Sequence, residues 1–298
     1  MIEVQGVYAA AITPRGKHGE IDFGASFELI DFLCKAGVNG IALGTAAGEF
    51  AALADDERSR LVYLAVKRSR VPVLVGVGSA TLDGSVALAR EARDAGAAGL
   101  LLPPPYFFGY DQDDLREFYL QFAAQLGSGA ETYLAQLPSS CTNLQASTAT
   151  DLLSTGHFAG LEMGAAAILR MTAKCEASPW RILAADDGSF AAARAAGAHA
   201  VLSSAACALP ELMVALDRAI LSKNHQAAQE LESRMQEFLA WVNQFPQPVI
   251  VKMATGLRGF KTGPLAVPLA PEKQKKLEQF RDWFQSWLPA ARKLAATG

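Results

Sequence analysis

Residues 73–102 read VLVGVGSATLDGSVALAREARDAGAAGLLL, and this stretch decides the fold class. Residues 73–76 are apolar on both faces of an extended chain, which is typical of a strand buried in a parallel sheet. Residues 83–95 repeat apolar side chains at helical spacing and stop at Gly96. Residues 98–102 form a second apolar run that ends at a proline turn. The order strand, helix, strand predicts a βαβ unit.

The same alternation continues on both sides of this unit. The predicted strands are 7–13, 40–43, 73–76, 98–102, 133–137, 159–163, 181–185 and 200–203. The predicted helices after them are 27–36, 55–68, 83–95, 111–126, 149–153, 166–176, 189–195 and 210–221. Eight such units in about 220 residues fit a closed barrel better than an open sheet. We therefore expect a (β/α)8 TIM barrel over residues 1–222, followed by a C-terminal helical extension over residues 223–298 with helices at 224–242, 249–256 and 272–294.

Composition excludes several classes of function. Hydrophobic residues make up 51% of the 298 residues and charged residues 19%, so a large core is expected and disorder is not. A net charge of −3 provides no basic surface for nucleic acid. The N-terminus shows no signal pattern and no apolar run approaches the roughly 18 residues of a membrane span. We expect a soluble, cytoplasmic protein without nucleic-acid or membrane partners.

The sequence gives no sign of a metal or cofactor. Its four cysteines and four histidines are scattered and form no CxxC, HxH or HExxH pair. No GxGxxG motif follows the first predicted strand, and Walker and GxSxG motifs are absent. We expect neither a bound metal nor a cofactor.

An ordered series of short motifs resembles one known family and spans nearly the whole chain. Residues 40–49 (GIALGTAAGE) resemble the motif GIxxxGTTGE, and residues 160–162 (GLE) stand at GIK. Further matches are residues 11–14 with 21–22 at TPF…iD, 105–107 at PYY, 137–139 at the YNxPxRTG strand end, and 186–187 at GDD. On these motifs the chain is identified as a member of the dihydrodipicolinate synthase / N-acetylneuraminate lyase family.

The resemblance implies a TIM barrel with a particular chemistry. In this family a lysine at the end of the sixth strand forms a Schiff base with pyruvate or a related 2-keto acid. A strand-five tyrosine relays protons, and paired threonines after strand two bind the carboxylate. A keto acid, a sugar acid or a similar small molecule is then the expected ligand, and a homodimer or homotetramer is the expected assembly.

The chain departs from the family at almost every catalytic position. Glu162 stands at the lysine position, and a carboxylate cannot form an imine. Ala135 stands at the tyrosine position, and Ser140 replaces an arginine that would clamp a second acidic group. By family position the ligand pocket is lined by Ala46 and Ala47 (the threonine pair), Tyr106 (retained), Phe107 (a tyrosine in PYY), Ala135, Ser140 and Leu202.

The remaining lysines do not replace the missing amine. Lys174 falls in an outer helix and Lys252 in the C-terminal extension. Lys17, on the loop after strand one, is the one lysine expected near the mouth, but it lacks the apolar surroundings that lower an amine pKa.

Two interpretations of Glu162 stay open. It is a structural carboxyl group satisfied by Tyr106, Ser203 or backbone donors, or held protonated by burial. Alternatively, it is a general acid or base, or a ligand for a cationic or hydroxylated molecule. Glu49 is expected to cap the segment after strand two, and a pairing of Glu49 with Glu162 would create a carboxylate pair or a divalent-metal site.

Two other groups carry alternatives of the same kind. Asp186 and Asp187 either widen the option of a carboxylate site or cap a helix, and capping is favoured. Tyr133 is either a displaced catalytic hydroxyl or a packed core tyrosine, and packing is favoured.

Three functions follow from this pattern. The favoured hypothesis is a small-metabolite-binding or non-catalytic homologue (a pseudoenzyme), alone or assembled with an active paralogue. The second is a lyase or hydrolase that uses Glu162 for acid–base chemistry. The third is an active 2-keto-acid lyase or synthase of the family type.

Overall fold

The computed structural model describes residues 3–137, 140–164 and 180–297. Eight parallel strands pair in sequence order into a closed barrel, with β1 hydrogen-bonded to both β2 and β8. The strands are β1 Gly6–Ala10, β2 Gly40–Leu43, β3 Val73–Gly76, β4 Gly99–Leu102, β5 Thr132–Leu134, β6 Gly160–Met163, β7 Arg181–Ala184 and β8 Ala200–Ser203. The TIM barrel is therefore confirmed.

Helices cover the barrel and continue beyond it. They are α1 Phe23–Ala36, α2 Asp55–Arg68, α3 Leu82–Ala95, α4 Gln112–Leu126, α5 Ala146–Ser154, α6 Phe190–Ala195, α7 Ala205–Ala208, α8 Pro210–Leu221, α9 His225–Val242, α10 Val249–Leu257 and α11 Pro271–Thr297. The predicted helix at 166–176 lies outside the described residues. Within the described ranges, none of these helices has the length and apolar character needed to cross a membrane.

Local hydrogen bonds explain where the elements differ from prediction. Helix α1 begins at Phe23, four residues before the predicted start, because the Asp22 side chain accepts a hydrogen bond from the Ala25 N–H at 2.9 Å and caps the helix. Strand β1 ends at Ala10, three residues earlier than predicted. The short helix α7 was not predicted, since four residues carry too little periodicity to detect.

Alternate residues of each strand point into the barrel, where they form one buried cluster. On β6, Leu161 and Met163 pack in the outer layer beneath the helices, so Glu162 between them faces the interior. The interior cluster consists of Val4, Tyr8, Ala10, Ala42, Ala47, Leu74, Leu101, Tyr133, Ala135, Leu183, Ala200 and Leu202. Gly40 is required beside it, because a Cβ atom there would lie 2.0 Å from the Tyr8 ring.

The amino-terminal end of the barrel is filled by polar groups that bind one another. The Tyr133 hydroxyl donates to Glu131 at 3.0 Å, and Arg181 donates to the same Glu131 oxygen at 2.7 Å and to the Tyr133 hydroxyl at 3.2 Å. Tyr133 is fully buried. It is therefore a packed core tyrosine, as favoured from sequence.

One buried ion pair joins the C-terminal extension to the barrel. Lys252 of α10 is 1% exposed, and its Nζ lies 2.7 Å from Glu49 Oε2 and 3.0 Å from the Pro264 carbonyl oxygen. The same Glu49 oxygen lies 3.8 Å from Arg15 Nε. Burial lowers the pKa of Lys252, and Glu49 opposes that effect. Glu49 occupies the N-cap position of the following 3-10 turn, as expected, but its side chain makes no capping bond and binds Lys252 instead.

Glu49→Gln should destabilise the chain by about 3–5 kcal/mol, because it leaves the buried Lys252 charge without its partner. The free energy of unfolding in urea measures the effect. The matched control is Glu272→Gln, which removes one half of an exposed pair with Lys275 and should cost less than about 1 kcal/mol. Equal losses in the two variants would contradict this role for the buried pair.

Candidate functional site

The site is built around the inward-facing carboxyl group of β6. Glu162 is in register with Leu183 of β7, and the pairing of Leu134 with Leu161 brings Ala135 next to it on the β5 side. Both neighbours belong to the apolar interior cluster. The carboxyl group is half-buried and borders side chains that offer no polar partner.

The surroundings of Glu162 favour its neutral form. In the part of the chain that the structure describes, no hydrogen bond or ion pair joins Glu162 to another residue, so Tyr106 and Ser203 do not satisfy it there. Burial raises the pKa of Glu162 from 4.5 to about 8. At pH 7 most molecules therefore carry a protonated carboxylic acid at this position, which can donate one hydrogen bond as well as accept.

The carboxyl group of Glu162 affects the pKa of a tyrosine that lies outside the strands. Tyr119 of α4 is fully buried, and its hydroxyl donates to the Leu102 carbonyl oxygen at 3.2 Å. Burial raises the pKa of Tyr119 well above its usual value, and the negative charges of ionised Cys141 and Glu162 would raise it further by smaller amounts. The Cys141 thiol donates to the Leu137 carbonyl at 3.3 Å, and burial raises its pKa too. Tyr119 could not be identified from the sequence, because an aromatic residue on the buried face of a helix is typical of ordinary packing.

Three of the predicted pocket positions meet inside the barrel. Ala47, Ala135 and Leu202 are each 6% exposed or less and belong to the interior cluster. Ala46 is exposed at the start of the 3-10 turn that follows β2. Beside it, the Thr45 hydroxyl is buried without a hydrogen-bond partner among the described residues.

The other predicted pocket positions lie on the rim. The Tyr106 ring packs edge-on against Phe50, with centroids 5.6 Å apart. Phe107 has a φ of 86° and is 84% exposed, and its N–H donates to the Ser140 carbonyl at 3.4 Å. The Ser140 residue is exposed as well. Contact of these side chains with a ligand therefore stays a prediction.

A buried arginine supports this rim. Arg58 is 4% exposed, its guanidinium lies 5.2 Å from the centroid of the Phe50 ring, and it donates to the carbonyl oxygens of Gly76 and Gly78 at 3.2 and 3.0 Å. A further bond goes to Asp55 at 3.2 Å. Its donors are used for the backbone at the end of β3. The helical pattern of α2 places Arg58 on the buried face, but no motif in the sequence marked it.

The other acidic residues at this end of the barrel are occupied elsewhere. Asp187 accepts hydrogen bonds from the Ser204 hydroxyl at 2.8 Å and the Ala205 N–H at 2.9 Å at the start of α7, and Asp186 accepts from the Gly188 N–H. The favoured capping role is thus confirmed for both. Glu49 binds Lys252, and among residues 3–137, 140–164 and 180–297 no group of three acidic, histidine or cysteine side chains could hold a metal.

No described amine faces the barrel interior. Lys17 is exposed on its loop, and Lys252 is held in its ion pair. Every other lysine in the described ranges is exposed, and Lys174 lies outside them. The described residue that faces the interior from the end of β6 is thus a carboxylic acid, Glu162.

Comparison with known proteins places this barrel in a family. Residues 3–286 match the model of the Dihydrodipicolinate synthetase family. The chain is 28% identical over 282 residues to the 4-hydroxy-tetrahydrodipicolinate synthase of Methanothrix thermoacetophila, covering 93% of this chain and 95% of that one.

Solved structures agree with this family match. The 4-hydroxy-tetrahydrodipicolinate synthase of Methylacidiphilum fumariolicum superposes with a TM-score of 0.87 at 26% identity, over 98% of this chain and 99% of that one. A catalytic lysine mutant of the sialic acid aldolase of Ruminococcus gnavus shares the fold, with a TM-score of 0.86 at 17% identity over 97% of this chain and 98% of that one. With the family model spanning residues 3–286, the chain belongs to the dihydrodipicolinate synthetase family.

Proposed function

We propose that this chain binds a small metabolite at the mouth of its barrel and does not form a Schiff base with a 2-keto acid. The observation that carries the proposal is Glu162, which faces the barrel interior from β6 at the position where the family resemblance expects a lysine. A carboxyl group cannot attack a carbonyl to form an imine. Lys252, the one buried lysine of the described residues, is committed to Glu49.

The neighbouring positions support the same conclusion. Ala135 occupies the position of the proton-relaying tyrosine, and Ala46 and Ala47 occupy the positions of the carboxylate-binding threonines. Each replacement removes a hydroxyl group while leaving the apolar lining in place. A barrel altered in this way keeps its apolar interior and lacks the groups that the family reaction would use. Its proposed setting is the cytoplasm, as a homodimer or homotetramer or together with an active paralogue.

A second candidate rests on the raised pKa of Glu162. A carboxylic acid that is protonated near neutral pH is suited to donate a proton to a leaving group, as general acids in lyases and hydrolases do. The third candidate, an active 2-keto-acid lyase, draws on the names of the relatives and requires an amine that the described residues do not supply.

Borohydride trapping with pyruvate tests the proposal directly. Wild-type protein should give no covalent adduct in intact-mass spectra, whereas Glu162→Lys should gain the mass of one reduced pyruvate, because the variant returns an amine to a largely apolar site. Peptide mapping should place that adduct on residue 162. The matched control is Glu272→Lys, an exposed amine in water that should remain unmodified. An adduct on any lysine of the wild-type chain would overturn the proposal.

The pH dependence of stability tests the buried acid. The pKa of Glu162 is about 8 in the folded chain against 4.5 when exposed, so the native state binds more protons between these values and stability falls as pH rises through this window. Relative to Glu162→Gln, the free energy of unfolding of the wild type should fall by about 1.4 kcal/mol per pH unit in the middle of the window. Above pH 8 it should level off. Urea unfolding at pH 5, 6, 7 and 8 measures the difference. A difference that stays constant from pH 5 to pH 8, as expected for the exposed control Glu272→Gln, would contradict the buried-acid interpretation.

A further inference from the structure

We infer that the ligand of the barrel mouth is a small ammonium compound, a primary or secondary amine with a short apolar or hydroxylated body, and neither a keto acid nor a sugar acid. This inference rests on the proposed function, since it concerns the ligand of the same site. It reverses the charge of the ligand that the family resemblance implies.

The charges at the site carry the argument. Glu162 stands between Ala135 of β5 and Leu183 of β7, whose apolar side chains offer no hydrogen-bond donor. An anionic ligand would lose its hydration there and, once Glu162 ionises, would meet a like charge. An ammonium group would meet an oxygen acceptor in surroundings of low polarity, where opposite charges attract more strongly than in water.

Three cations buried at this end of the barrel are bound to carboxylates and carbonyl oxygens. Lys252 and Arg15 share the Glu49 carboxylate, and Arg15 also donates to the Gly19 and Ala52 carbonyl oxygens. Arg58 donates to backbone carbonyls and to Asp55. These three buried cations are therefore held by protein groups, although Arg15 Nε makes no hydrogen bond among the described residues. The Ser140 residue at the family's arginine position is exposed and carries no charge.

Binding of an amine should expel a proton from the site. The empty site holds a protonated Glu162 at pH 7, since burial raises its pKa to about 8, and an ammonium group binds the ionised form. The strands paired with β6 present Ala135 from β5 and Leu183 from β7, and Tyr119 of α4 is near enough for Glu162 to affect its pKa. Cys141 is coupled to Tyr119, and the raised pKa values keep both groups neutral at pH 6–8. Burial also raises the pKa of Asp187, which follows β7 and accepts from Ser204 and the Ala205 N–H, so the test observes the Glu162 carboxyl group directly.

The two ligand classes then differ in the sign of their pH dependence. Affinity for an amine should rise roughly tenfold per pH unit below pH 8, because less of the population has to lose its proton. Affinity for an acid should fall as pH approaches 8 and Glu162 becomes charged. The sign alone identifies the class of ligand.

Carbon-13 NMR of the Glu162 carboxyl carbon provides the test, with the signal assigned by its loss in Glu162→Gln. Propylamine and ethanolamine are the cationic probes, 1-propanol is the neutral match and pyruvate is the acid. Each amine should lower the midpoint of the Glu162 titration and bind more than tenfold tighter at pH 8 than at pH 6. Asp186→Asn, which removes an exposed carboxylate at the same end of the barrel, should bind the amines as the wild type does.

Three results would overturn the inference: pyruvate but not the amines shifts the titration, the amines bind Glu162→Gln as well as wild type, or no probe shifts the signal. Failure of the proposed function has a separate signature, since it appears as a borohydride adduct with pyruvate on the wild-type chain. If that adduct is absent and Glu162 does not respond to amines, the proposed function is retained and the inference of a cationic ligand is rejected.

Discussion

The closed ladder of eight parallel strands is the constraint on which the rest of the molecule depends. A sheet that closes on itself has no free edge, and one of its faces becomes the barrel interior. Because side chains alternate along each strand, one in two then points toward the common axis. The register of β6 with β7 therefore leaves Glu162 no outward alternative while Leu161 and Met163 pack beneath the helices. An ionisable group on the axis is a consequence of closure as much as of the local sequence.

Closure also explains why the architecture could be predicted from sequence. Strands such as 73–76 are buried on both faces and bounded by helical periodicity, so the pattern identifies them without any knowledge of their partners. The ends of the elements were harder to predict. In α1, one hydrogen bond accepted by the Asp22 side chain extends the helix by a turn. The family motifs supplied the inward position of Glu162, which periodicity alone would have left ambiguous in a strand of four residues.

Contacts between distant parts of the chain could not be predicted in the same way. Glu49 and Lys252 are 203 residues apart, and neither carries a motif that announces the other. Tyr119 and Arg58 lie on helices whose buried faces read as ordinary packing, yet one is coupled to Glu162 and the other holds the carbonyls at the end of β3. Each of these roles depends on burial, and burial of a polar group is decided by the assembled fold.

The amino-terminal end of the barrel has a consequence of its own. Tyr8 and Tyr133 fill the interior there, and Glu131 binds both Tyr133 and Arg181. The barrel interior is therefore closed by side chains at this end. A molecule that reaches Glu162 must leave by the opening through which it came.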